Sequence, residues 1–391
     1  MGPVKNGTGA DVPLLGEKSS PTRENRRVIW RTVFNVSTSI IGAGIMSVPA
    51  TMKVLGVIPA FLLIVLVAIL VDISVDFMLR FTYAGQSTTY AGLMKENFGK
   101  TGSFAVQICV MITTLGCLIM YLIIIESLWF SSAIAVILAI VFVGICSVMA
   151  MLAIIKGETV RPRMLPELKN TTSFFNLFTV IPVIVTAFTF HFNVHPIGIE
   201  LGKPTTMTTA VKISLAFCAA IYFSIGIFGY VLFGDSIMPD ILVNFDKSFS
   251  TSAISPILND VVRLSYALHL MLVFPLLNFS LRANIDELIF PKQPYLATNN
   301  KRFVCLTLIL LALSYIAAIV IPSIWYIFQF LGSTSNVCLA FIFPGAIALR
   351  DVHGLSTRKD KIIAVVMIFL AVVTSLITIA TNIYSMTRNS S

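Results

Sequence analysis

Charge is the scarcest property of this sequence. Aspartate, glutamate, lysine and arginine make up 12% of its 391 residues, about half the share of an ordinary soluble protein. Apolar residues make up 57% and the mean hydropathy is +0.92. With so little polar cover, no water-soluble globule of this size can form. A soluble enzyme, a disordered chain and a secreted disulfide scaffold are excluded together. Cysteine is sparse as well. Cys109, Cys117, Cys146, Cys218, Cys305 and Cys338 all fall in apolar runs without zinc-type spacing, and read as small buried hydrophobes. Acidic residues number only 18, against 27 lysines and arginines. That excess is scattered over short connections with no basic stripe. It reads as orientation in a membrane and not as nucleic-acid binding. No nucleophile elbow, phosphate-cradling loop, zinc hydrolase pattern or paired acid and base is present. The chain is therefore expected to be no enzyme and to hold no cofactor or metal.

What is present is suited to lipid. A helix needs about 20 apolar residues to cross a bilayer. Ten such runs lie near 28–53, 57–79, 103–125, 131–155, 174–196, 209–233, 261–281, 303–322, 324–349 and 361–384. They are continuously apolar and not alternating, so they predict helices and not barrel strands. The fold class is an all-α polytopic membrane protein. Residues 1–27 form a polar tail with no signal-peptide pattern, 28–384 the transmembrane domain and 385–391 a short C-terminal tail.

Two runs are interrupted. Residues 35–49 read NVSTSIIGAGIMSVP, with Gly42, Gly44 and Pro49 at mid-membrane depth. Residues 182–196 read PVIVTAFTFHFNVHP. Broken helices are tolerated at depth only where the freed backbone faces protein or a water-filled cavity. A pair of such spans, one in each half, points to a transporter site. Close packing of small residues is the competing reading of Gly42 and Gly44. Asp72, Asp76 and Arg80 follow one another at i, i+4, and Asp76 is expected to pair with Arg80 at an interface. His191 and His195 also stand at i, i+4. They read as titrating or hydrogen-bonding groups, or as satisfied interior residues, and without a nearby carboxylate or thiol they make a weak metal site. His269 is either turned to the bundle interior or functional. Residues 332–336, GSTSN, form a small polar patch that lines a path or lets helices approach.

These two stretches, with VVRLSYALHLMLVFP at 261–275 and FGD at 233–235, resemble the amino acid/auxin permease family of eukaryotic amino acid transporters. The similarity runs from about Val28 to the end, and is greatest to the plant vacuolar exporter-like branch. The resemblance implies a LeuT-like fold of two inverted five-helix repeats plus an extra helix. It implies a substrate site between the broken first and sixth family helices, the latter being the fifth run here. The amino acid carboxylate would meet N–H groups from Gly42 to Ile45, with Ser39, Ile41, Ala43 and Gly44 around it. The amino group would meet carbonyls and side chains between Thr186 and Asn193, among them Phe188, Phe190 and His191. Thr38, His195, His269, Ser333 and Thr334 become coupling or gating candidates.

Two departures matter. Sodium-coupled relatives carry Asn where this chain has Thr38, and Thr where it has Val273. Valine offers no oxygen to Na⁺, so proton coupling or uniport gains. The family also has eleven spans, and ten are counted. The fourth family helix is missing between Ile125 and Ser131. Charge counting agrees. The tail through Arg31 has six Lys and Arg and the 80–100 region three, which makes both cytosolic. Among later connections, ten such residues lie in one set and six in the other, and only an extra crossing between Tyr121 and Ser131 puts the richer set with the tail.

The sequence thus predicts a secondary active amino acid transporter, proton-coupled or exchanging, that works by alternating access. Asp11 to Leu15, DVPLL, has the form of an acidic dileucine signal and points to an internal, vacuolar membrane ahead of the plasma membrane. The alternatives are an amino acid-sensing transceptor, a metal-ion transporter of similar architecture, and an inactive shortened form. The expected partners are an amino acid, lipid and protons. Oligomeric state, substrate identity and flux direction are not encoded legibly.

Overall fold

The computed structural model describes residues 21–126, 135–247, 256–290 and 299–389, apart from 86, 158, 160, 169, 202, 203 and 322. The DVPLL segment lies outside them. Among the described residues every regular element is a helix. In chain order these are α1 (Pro21–Ile40), α2 (Gly44–Leu55), α3 (Val57–Ala84), α4 (Tyr90–Glu126), α5 (Ala135–Lys156), α6 (Thr171–Phe188), α7 (His191–Leu201) and α8 (Pro204–Phe233). There follow α9 (Ile241–Lys247), α10 (Pro256–Ile289), α11 (Asn300–Val320), α12 (Ile324–Ser333), α13 (Ser335–Val337), α14 (Phe343–Arg350) and α15 (Arg358–Asn389).

Eight helices among the described residues are long and apolar enough to cross a membrane. The count is nine when the first broken pair, bent by 62° between Ile40 and Gly44, is taken as one span. The ten expected spans are therefore not all reproduced. The run at 131–155 corresponds to α5 (Ala135–Lys156), which is not among those eight.

Contacts orient the bundle. Arg80 reaches Asp360 at 3.0 Å and Asp76 at 2.8 Å, the latter being the expected i, i+4 pair. His353 lies 3.0 Å from Glu96. Thr88, His195 and Glu287 line one hollow. The C-terminal ends of α3, α7, α10 and α14 therefore share one end of the bundle with the starts of α4 and α15. α1 and α8 run in the same direction away from it, since Ser214 donates to the Val33 carbonyl at 3.0 Å and Tyr222 to that of Ile40 at 2.7 Å. This is the tail end. At the far end, the Val57 N–H donates to the Arg163 carbonyl and Arg163 donates to the Tyr230 hydroxyl at 3.1 Å. Among the described residues, Arg282, Lys301, Arg302, Arg350, Arg358, Lys359 and Lys361 of the later lysine- and arginine-rich set stand at the tail end with the 80–100 region.

α4 and α5 break the usual alternation. α4 starts flat at the tail end, turns at Gly99, whose φ of 67° is a left-handed conformation that suits glycine, and climbs to the first break at Tyr121. A Cβ on Gly42 would stand 2.5 Å from the Tyr121 hydroxyl. α5 passes the same level at Phe142, whose ring lies 5.3 Å from that of Tyr266, and Tyr266 donates to the Gly42 carbonyl. From there α5 leads through Gly157 to the Arg163 loop at the far end. Both helices thus run from tail end to far end, although only residues 127–134, outside the described residues, separate them. Short connections ordinarily join antiparallel helices.

Candidate functional site

The first break leaves carbonyls without helical partners in the middle of the bundle. Two helices of the surrounding scaffold supply the missing donors. Tyr222 on α8 donates between the carbonyls of Ile40, at 2.7 Å, and Ala187, at 2.9 Å. On α10, His269 donates from Nε2 to the Ile41 carbonyl at 2.9 Å, and Tyr266 donates to that of Gly42. The Tyr266 and His269 rings stack at 5.4 Å and 25°. The backbone N–H groups meet the opposite fate. Among the described residues, those of Gly42 and Ala43 have no backbone acceptor, and α2 begins its positive end at Gly44.

Gly42, Ala43 and Gly44 line a cavity of about 500 Å³ on the tail side of the break. Among the described residues its walls carry no Asp, Glu, Lys, Arg or His. Its polar surface is rich in acceptors. Thr38 and Thr189 spend their hydroxyl hydrogens on the Phe34 and Val185 carbonyls, and Ser39 spends its own on that of Asn35, so their oxygens offer lone pairs to the space. Asn35, Asn193 and Ser280 add further polar groups. Met120, Phe192, Val273, Leu277 and Phe328 supply apolar wall.

The second break is milder than the first. Only Thr189 and Phe190 leave the helical course between α6 and α7. Thr186 is held from two sides, donating to the Phe328 carbonyl at 3.1 Å and accepting from the Asn336 amide at 3.0 Å. Thr113 on α4 donates to the Asn336 Oδ1 at 2.7 Å. The 332–336 patch is thus a third interruption, opened at Thr334 with φ −122° and ψ −92° and followed by a π-turn at Cys338–Ile342. It ties three helices together and does not line the cavity.

Of the residues expected at the site, Thr38, Ser39, Gly42, Ala43, Gly44, Thr186 and Asn193 do line the cavity. Ile41, Ile45, Phe188 and Phe190 instead turn their side chains into the core. Ser333 and Thr334 bond back to the Gln329 and Phe330 carbonyls. His191 and His195 face α3, and His269 grips the break. Asn35, Thr189 and Phe192 lay within the quoted stretches without being singled out, and Tyr121 and Ser280 escaped the sequence reading. Asn35 and Thr189 flank the broken motifs, but no spacing marks a wall residue contributed by α4 or α10.

A larger hollow of about 560 Å³ lies between α3 and α8, walled by exposed Phe61 and Ile69 with Asp72 and Lys212. It is a groove toward lipid, away from both breaks. Among the described residues no group of three or more metal-ligating side chains occurs.

Comparison with known proteins adds a family. The model of the transmembrane amino acid transporter protein family matches residues 26–132 and 125–387. Amino acid transporter AVT6C of Arabidopsis thaliana is 54% identical, over 91% of this chain and 94% of its own length. AVT6D of the same plant is 50% identical, over 96% and 98%. The human sodium-coupled neutral amino acid transporter 4 is 31% identical over 49% of this chain and 34% of its own. The alignment with AVT6C has 408 positions but covers 91% of 391 residues, about 356, so about 50 positions of that relative face no residue here. The family match divides at 125–132, in the connection between the two parallel helices.

Proposed function

The chain belongs to the transmembrane amino acid transporter family, and from that premise we propose that it carries amino acids with uncharged side chains across an internal, vacuolar membrane. The observation that carries the reading is the pairing of two unlike surfaces in one cavity. The free N–H groups of Gly42 and Ala43, at the positive end of α2, suit a carboxylate. The hydroxyl oxygens of Thr38, Ser39 and Thr189 suit an ammonium. With no ionic side chain in the wall, a charged substrate side chain would lie in the bundle uncompensated, at high cost. The cavity lies on the tail side while α9, anchored by Ser47 to the Pro239 carbonyl at 2.8 Å, packs over the far side. This arrangement is one of the two end states that alternating access requires.

Coupling is to protons or to exchange. Unwound carbonyls are the usual sodium ligands in such folds, and here those of Ile40, Ile41 and Gly42 are taken by Tyr222, His269 and Tyr266. Uptake of labelled alanine, leucine, glutamate and lysine into proteoliposomes tests the whole reading. Alanine and leucine uptake that follows a pH gradient or internal amino acid, and ignores Na⁺, is expected. Selective uptake of glutamate or lysine would overturn the substrate class.

A second reading, an inactive shortened form, is favoured by the parallel α4 and α5. Under it, the chain binds substrate but does not cycle. Inserting at the 125–132 connection the AVT6C residues that this chain lacks should then raise uptake at least tenfold.

A further inference from the structure

α7 carries two buried histidines one turn apart, and each is hydrogen-bonded through Nε2 to a hydroxyl of α3. His191 Nε2 lies 2.7 Å from the Ser74 hydroxyl and His195 Nε2 lies 2.9 Å from that of Thr82, both on α3. A hydroxyl has one hydrogen. That of Thr82 goes to the Met78 carbonyl at 2.7 Å, and that of Ser74 to the Val71 carbonyl at 3.0 Å. With those two bonds made, both imidazoles donate through Nε2, which leaves a lone pair on each Nδ1. Among the described residues neither Nδ1 has a hydrogen-bond partner, and neither touches bulk water. An unsatisfied buried acceptor is costly, and two at consecutive turns of one helix call for a ligand.

The surroundings identify that ligand as a proton. His195 opens on a hollow of about 180 Å³ at the tail end, with Gln107, Asn284 and Glu287 in its wall. Phe192 and Pro196 are the partition between this hollow and the larger cavity. His191 sits one turn deeper, next to the Thr189–Phe190 break. The His195 ring stacks on Tyr90 at 5.8 Å and 19°, and the Tyr90 hydroxyl donates to the Leu339 carbonyl, so it has no hydrogen left for Nδ1. Charged groups on the packed elements are engaged elsewhere or set apart. Asp76 and Arg80 pair with each other and with Asp360. Asp72 and Lys212 line the lipid-side groove, and Arg31 on α1 is exposed. Tyr83 is half-exposed and lies near Gly198. Glu287 is the carboxylate in the tail-end hollow.

We propose that His195 and His191 form a proton relay that leads from the tail-end hollow to the Thr189–Phe190 break beside the substrate cavity. This rests on the proton-coupled reading above. A proton that passes from the hollow to Nδ1 of His195 makes an imidazolium. Its transfer to Nδ1 of His191, one turn deeper, restores neutral His195, and no other species is consumed.

The chain has four histidines, so ring-nitrogen NMR of the full chain, labelled with ¹⁵N-histidine in nanodiscs, can resolve each. His191→Gln and His195→Gln assign the signals. Both rings are expected with Nε2–H and a bare Nδ1 at pH 7.5, and to take protons as a coupled pair on acidification. His195→Gln should slow proton exchange at His191 at least tenfold. Ser74→Ala, which keeps both rings, should scramble the His191 tautomer without changing the gel-filtration profile. An Nδ1–H tautomer in either ring, or titration of His191 indifferent to His195→Gln, overturns the relay. These signals need no ligand. If added alanine shifts none of them while the coupling persists, the relay stands and the transport reading falls.

Discussion

Gly42 and Gly44 differ in what a methyl group would meet. At Gly42 it would stand 2.5 Å from the Tyr121 hydroxyl, the movable tip of a side chain. At Gly44 it would stand 2.7 Å from the Ala187 Cα, backbone that cannot yield without parting α2 from α6. Overpacking of that kind costs about 1–3 kcal/mol. Gly44→Ala should therefore lower the melting temperature in detergent and abolish substrate binding, whereas Gly42→Ala keeps the fold and weakens binding. Equal effects would contradict the close approach. The donors at the break give a second outcome. Tyr266→Phe leaves the Gly42 carbonyl with the Ile45 N–H alone and one lone pair open, and Val273→Thr adds an oxygen. The double variant should acquire Na⁺-dependent thermal stabilisation that the parent lacks, measurable in NaCl against choline chloride. Asp240 gives a third. It caps α9, accepting from the Leu242 N–H at 2.9 Å, and burial pushes its carboxyl up to about 6, with that hydrogen bond opposing. Its docked value exceeds its free one, so docking of α9 is strongest below about pH 4 and weakens as pH rises to about 6. The roughly two-unit difference corresponds to about 3 kcal/mol. Protection of the α9 amides, taken as exchange slowed relative to the intrinsic rate at each pH, should be greater at pH 4.5 than at pH 7, and Asp240→Asn should remove the difference. The glycines were legible in the sequence as a break in an apolar run. Tyr222 and Tyr266 were not, because a tyrosine in an apolar helix carries no mark of the carbonyl it meets.

Breaks in helices were legible to the degree that they carry glycine or proline. GAG at 42–44 foretold a 62° bend. Around Thr189 the sequence has only Pro182 and Pro196 some turns away, and the departure is two residues long. In α12 to α14 the polar patch hinted at irregularity, yet the π-turn has no local signature, since it follows from packing against α4. The element that most needs its contacts is this last one. Asn336 joins Thr113 of α4 to Thr186 of α6, and its removal leaves Thr113 with only the Ser335 hydroxyl and Thr186 with only the Phe328 carbonyl, a loss of about 1 kcal/mol for each bond. Asn336→Leu should lower the melting temperature by several degrees and free the Thr186 hydroxyl. Thr186→Val in the same background should then cost little more, a non-additivity that independent sites would not give.

At the scale of the molecule, the number of spans was the hardest quantity to read. Apolar runs announce helices but not their direction, and direction came from contacts such as those of Glu96 with His353 and of Val57 with Arg163. Those contacts send α4 and α5 the same way, with eight residues to return between them. Biogenesis feels this before folding does. A newly made chain enters the bilayer helix by helix, and each short hairpin flips the next helix over. After α4, that rule delivers α5 reversed, while the lysines and arginines that follow α7 and α10 pull the later helices back toward the cytosol. Two instructions then compete in every molecule, and a mixed population of orientations should leave the translocon. Glycan acceptor sequons placed in the 157–170 loop and in the 351–357 loop should each be modified in part of the molecules made with microsomes. Complete modification of one and none of the other would mean that residues 127–134 thread across unaided.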